Sequence, residues 1–277
     1  MSETASTPRT GQLTQASPVG RVDGHVTLPR VVASEWSKLW SLRSTPLVIV
    51  AAMVAMAAFG AIIGHNTRHT AGLDPEDVVA SGPLQGYYLG QLLIGSLGVL
   101  VVSGEYSSGM IRATFAAVPR RLPVLVAKLT VFTLVVASAM VTASVAAFLI
   151  AQAFLSGYRP TYSLSDPDVL RVVVGTGLYL TLIGLLGGAI GWIVRSTPGA
   201  LVALFAVILV LPVLLLLFHG AWAQHASAWL PTGAGAAFST SLRTPGELAP
   251  WPGLAVMVAW VAAAYAIAAV LLHRRDA

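Results

Sequence analysis

The chain has 277 residues, 56% of them hydrophobic and 10% charged, with a formal net charge of +5 and a mean hydropathy of +0.78. A soluble globular domain carries roughly a quarter charged residues, so a chain this poor in charge lacks the polar surface for life in water and is expected in a membrane. Without any cysteine it offers no disulfide framework, no thiolate metal site and no cysteine nucleophile.

Residues 1–29 are rich in Ser, Thr, Pro and Gly and hold no apolar core of the signal-peptide kind. They read as a disordered cytoplasmic tail, which leaves targeting to the first membrane helix. Residues 30–277 read as one transmembrane domain, all-α and polytopic. Its first segment, LPRVVASEWSKLWSLRST, places Val32, Trp36, Leu39 and Trp40 on one helical face, with Glu35, Lys38 and Ser41 elsewhere on the wheel. This predicts an interfacial elbow helix carrying Glu35, Trp36, Lys38, Trp40 and Arg43, its tryptophans at headgroup depth. The alternative is a plain extension of the first span.

A bilayer core about 30 Å thick needs about 20 apolar residues of helix. Six stretches meet that length: Pro46–Gly64, Leu84–Ser103, Pro123–Leu155, Val169–Val194, Pro198–Phe218 and Pro252–Leu272. The third, at 1.5 Å per residue, is about 50 Å long and is expected to tilt or to project on the Lys128 side. Pro212 predicts a kink in the fifth. Twelve Lys and Arg residues flank one side of the spans, among them Arg43, Arg112, Arg120, Arg121, Lys128, Arg195 and Arg274, against four on the other. Positive residues stay inside, so both termini are expected in the cytoplasm. The outer connection His219–Trp251 contains AWAQHASAWL, which reads either as a short re-entrant helix or as a loop with interfacial aromatics.

Few side chains at membrane depth are polar. Gln91, Ser138, Thr142 and Thr181 either line a translocation path or bond to neighbouring helices. Gly86 with Gly90, Gly184 with Gly188 and Gly187 with Gly191 have the small-x-x-x-small spacing that lets helices approach closely. No span holds a well-buried carboxylate, which removes the aspartyl protease class and argues against an ion-coupled transporter. His65 and His69 have metal-ligand spacing, but they sit in the loop GHNTRHTAGLD with no obvious third ligand, so no metal is expected. A phosphate-binding loop needs a lysine after glycine, and neither Lys38 in WSKLW nor Lys128 in VAKLT follows one. Any ATP-driven step must therefore draw on a second polypeptide, and the chain itself is not expected to be an enzyme.

GEYSSGMIRATFAAVPRR, residues 104–121, interrupts the apolar pattern on the inner side. Gly104 suits a helix end, Gly109 a turn, and Pro119 a stop. Met110, Ile111, Phe115 and Val118 form an approximate apolar stripe, with Arg112, Arg120 and Arg121 around it. Such a short helix is either held at the surface by anionic lipid or serves as a lever that a cytoplasmic motor pushes.

Two motifs in this order carry a resemblance. Glu105, Gly109, Ile111, Pro119, Arg120 and Lys128, preceded by EWSKLWSLRST at residues 35–45, resemble the permease subunits of ABC-2-type exporters, actinobacterial members in particular. The chain has Gly109–Met110 where many members have Gly-Thr, so any role of that hydroxyl is lost or moved. The resemblance spans most of residues 30–277. It implies a bacterial cell-membrane permease that moves a lipophilic or amphipathic substrate out of the cytoplasm. ATP and Mg would be bound by a separate ABC-type ATPase, and a second permease copy or paralogue would complete the path. It makes the segment from Glu105 to Val118, continued by Pro119 and Arg120, a cytoplasmic coupling helix between spans two and three. Rival readings are a transporter not driven by ATP and a membrane anchor or sensor subunit.

Overall fold

The computed structural model describes residues 27–67, 82–118, 121–157, 161–218, 220–241 and 246–274. Among them there is no strand, and six helices are long and apolar enough to cross a membrane. In chain order the helices are α1 (Leu28–Ser41), α2 (Ser44–Thr67), α3 (Tyr87–Ser107), α4 (Met110–Ala117), α5 (Arg121–Leu155) and α6 (Val169–Val194). There follow α7 (Thr197–Phe205), a π turn (Ala206–Val210), α8 (Leu211–Leu216), α9 (Ala221–Trp229), α10 (Pro231–Ser239) and α11 (Pro250–Arg274). The sixfold apolar pattern thus becomes six helices, each within a few residues of its apolar stretch in length, the fifth ending at Leu216 rather than Phe218. The tail before residue 27, His69, Pro119 and Arg120 lie outside the described residues.

The most enclosed helix is α6, which packs against α3, α5, α7, α10 and α11, while α2 lies across α5 and α3. Small residues permit these contacts. A Cβ at Gly98 would fall on the Gly184 carbonyl oxygen, and one at Gly187 on the Gly95 carbonyl oxygen. Helices α3 and α6 therefore touch backbone to backbone, with Gly184, Gly187, Gly188 and Gly191 on the shared face as their spacing implies. On the other side, Gly60 and Gly64 of α2 lie against the Ala147 and Ala151 backbone of α5.

Pro212 accounts for the π turn. It has no N–H to give the Ile208 carbonyl, and its ring crowds that oxygen. Residues 206–210 widen by one residue per turn before α8 resumes with Pro212 near its start. Gly104 does not end α3, which continues to Ser107. The Ser107 and Ser108 hydroxyls donate to its carbonyl at 3.1 and 2.8 Å, and the chain turns instead at Gly109, with φ +72°.

At one end of the bundle the last turn of α11 is bonded to the start of α5 and the end of α6. Arg121 donates to the Leu272 carbonyl at 2.8 Å, and Arg195 to the Leu271 carbonyl at 3.4 Å while stacking over Tyr106. Cations here satisfy the last carbonyls of α11 and complement its dipole. The double variant Arg121→Ala/Arg195→Ala is expected to fray α11 from Leu271 onward. Faster amide exchange confined to residues 269–274, with the rest of α11 unchanged, is the check.

Candidate functional site

At this same end, four charged side chains from three helices converge. Glu35 and Lys38 are three residues apart on α1 and share a face; Glu105 lies in the last turn of α3; Lys128 lies two turns into α5. Lys38 Nζ donates to Glu35 Oε1 at 2.7 Å and to Glu105 Oε1 at 3.3 Å. Lys128 Nζ donates to Glu35 Oε2 at 2.5 Å and to Glu105 Oε1 at 2.9 Å. The result is a closed ring of alternating charge that uses both lysines of the chain. Glu35, Lys128 and Glu105 are only 3%, 6% and 7% exposed. A third Lys38 bond, at 3.0 Å, reaches Thr114 Oγ1 on α4. The ring thus ties α1, α3, α4 and α5 together.

Apolar contacts hold the same four helices. Val31 of α1 packs with Val124 and Ala127 of α5, and Phe115 and Val118 join them. Ile111 is buried with Val102, Leu125 and Trp192. The stripe expected on the segment after Gly109 therefore faces the protein's own helices, apart from Met110, which is exposed. The reason is local geometry. An eight-residue helix entered from Gly109 and leaving toward Arg121 has one side against α3 and α5, and its apolar residues take that side. Arg112, Ala113, Ala116 and Ala117 form the outer face.

With two lysines on one oxygen and little exposure, Glu105 is an internal strut. On α1 the protein-facing stripe is Val31, Glu35 and Leu39, whereas Trp36 and Trp40 point outward with ring centroids 5.9 Å apart. Arg43 is exposed just after α1. Thr114 was not singled out by sequence reasoning, and neither was the hydrogen bond from Thr197 to Ser103 at 2.8 Å that links α7 to α3.

The four polar residues considered for a path each make a hydrogen bond within the chain. Ser138 and Thr142 sit on the outer face of α5 and bond to the Val135 and Ser138 carbonyls of their own helix. Thr181 is buried and bonds to the Gly177 carbonyl. Gln91 accepts the Tyr179 hydroxyl at 2.5 Å between α3 and α6, with Tyr87 edge-on to Tyr179. The connection after α8 forms two short helices, α9 and α10; α10 packs on α11 and α6, and the Phe238 carbonyl in its last turn and the Thr240 carbonyl just beyond it accept from Arg171. No cluster of three His, Cys, Asp or Glu able to hold a metal occurs among the described residues.

Electrostatics favours the ring in the charged state of Lys38. Burial opposes its ammonium, but the hydrogen bond to Glu35 and the charges of Glu105 and Glu35 outweigh burial and raise its pKa above the ordinary lysine value of 10.5. A raised folded-state pKa adds stability that is fully present below the unfolded value and is lost as pH rises through the folded one. Melting temperature is therefore expected to fall above about pH 10.5, the ordinary lysine value, with the ring as one contributor. In Lys38→Met that alkaline component should be absent, leaving a shallower fall.

No known protein-family model matches this chain, and no curated protein matches it.

Proposed function

We propose that this chain is the membrane-spanning permease subunit of an ATP-driven ABC exporter, moving a lipophilic or amphipathic substrate out of the cytoplasm. The observation that carries the reading is the attachment of α4. This short helix between the second and third spans is anchored beneath by Ile111 and Phe115 and tied through Thr114 to the charged ring. Its outer face offers Arg112 beside three alanines, a flat surface against which a separate ATPase can seat. A push on α4 reaches α1, α3 and α5 through directed bonds rather than through a flexible loop.

In this reading α4 is the coupling helix, with Arg112 contacting the ATPase and Glu105 acting as the internal hinge. ATP and Mg are held by the partner. Its ATP-bound form shifts the permease by contacting one arrangement of α4 better than the other, since a ligand moves an equilibrium only by its differential affinity. The outward tryptophans of α1 suit an elbow helix at the cytoplasmic interface, and α9 with α10 suits a re-entrant element on the outer side. The Lys and Arg distribution supports cytoplasmic termini in a bacterial cell membrane. A second copy or a paralogue completes the path.

Mild-detergent isolation of the tagged chain from its native membrane tests this. A stoichiometric ATPase should co-purify, and Arg112→Glu should lower its recovery several-fold while the melting temperature stays unchanged. Isolation without any ATPase, in a detergent that preserves known complexes, would overturn the assignment.

A further inference from the structure

A cavity of about 190 Å³ opens beside the charged ring, between α1, the end of α3 and the start of α5. Its walls are apolar for the most part: Leu39, Leu42, Leu100, Val101, Met110 and Val131. Two serines also line it, but the Ser41 hydroxyl donates to the Lys38 carbonyl at 2.8 Å and the Ser108 hydroxyl to the Gly104 carbonyl at 2.8 Å. The polar demand comes from Glu105. Its Oε1 accepts from both lysines, while Oε2 is buried and has no donor among the described residues. Gly104 lines the same space, and a Cβ added there would meet nothing within 4 Å. A helix-interior glycine is less stabilising than alanine, and here the missing side chain leaves the cavity its room.

We propose that this cavity binds a neutral, hydroxyl-bearing membrane amphiphile of the diacylglycerol kind. Its hydroxyl donates to Glu105 Oε2, and its chain lies along Leu100, Val101 and Val131. Three observations select that chemistry. An unpaired buried carboxylate oxygen calls for a donor. The ring already balances two carboxylates with two ammonium groups, so an added anion meets Glu35 and Glu105 and an added cation meets Lys38 and Lys128; a neutral donor meets neither penalty. The size also fits: an apolar cavity of roughly 150 Å³ accepts benzene, so this one takes a glycerol-sized head and a few methylenes. Longer chains leave past the exposed Leu42 and Met110. The site does not depend on an ATPase and goes beyond the transport assignment.

The test uses the full chain in phosphatidylcholine nanodiscs, with an octanol carrying a photoreactive diazirine on its chain. Saturable labelling is expected in residues 35–42 and 97–110, read by peptide mass spectrometry. Dioctanoylglycerol should compete, and dioctanoyl phosphatidylcholine should not. Octyl methyl ether, which cannot donate, should compete roughly tenfold more weakly than octanol, as expected for loss of one hydrogen bond to a charged acceptor. Gly104→Phe, which fills the cavity, should abolish the saturable component. Should that variant fail to fold, the alcohol–ether comparison on the unaltered chain decides alone. Non-saturable labelling, equal competition by ether and alcohol, or no competition by dioctanoylglycerol would each overturn the proposal.

Discussion

Lys128→Met is expected to destabilise the protein by about 3–5 kcal/mol, the cost typical of removing one partner from a buried ion pair. The change leaves Glu35 and Glu105 facing one another with Lys38 alone between them, and Glu35 is almost fully enclosed. Because the penalty comes from uncompensated charge rather than from lost packing, it should be largely reversible. Adding Glu105→Gln to Lys128→Met returns the ring to one carboxylate and one ammonium and should recover most of the loss. Thermal unfolding in mild detergent across the wild type, the two single variants and the double variant measures this coupling. Simple addition of the two single losses would show that the ring does not act as a unit.

A comparable effect is expected at Gly98, by a different route. Its position against the Gly184 carbonyl leaves no space for any side chain, so Gly98→Leu must drive α3 and α6 apart along their whole contact. Overpacking of this kind costs typically about 1–3 kcal/mol and occasionally more, and here it falls on the most enclosed helix of the bundle. Gly104→Ala, six residues along the same helix, is the contrast. Its Cβ meets open space, so the gain in helix propensity should stabilise by up to about 1 kcal/mol. Opposite signs for two glycine substitutions in one helix would separate close approach from propensity.

The spans were legible because length and apolarity alone specify a membrane helix, and nothing about tertiary partners is needed to read them. The same rule hid the facing of α1. In water the apolar stripe marks the protein-facing side, but beside lipid an aromatic pair can point outward. Trp36 and Trp40 suggested a single apolar face, while the protein-facing stripe contains Glu35. That carboxylate is buried because two lysines meet it, and one of them lies 93 residues away. The spacing of Gly184, Gly187, Gly188 and Gly191 announced a close helix contact without naming the other helix. Gly95 and Gly98 are three residues apart and did not show as a pair. Pro212 gave the position of the distortion but not its form, since a π turn depends on how the preceding carbonyl is accommodated. On α4 the stripe was visible, but which side it met was not. That choice follows from where α3 ends and α5 begins.

The closing of the ring around both lysines has a consequence for chemical probing. A reagent that acylates side-chain amines meets, in the folded chain, one partly shielded group at Lys38 and one enclosed group at Lys128. Each must leave its carboxylates before it reacts. The acylation rate at Lys128 therefore works as a clock for the opening of this end of the bundle, readable in intact membranes without attaching a label to the chain.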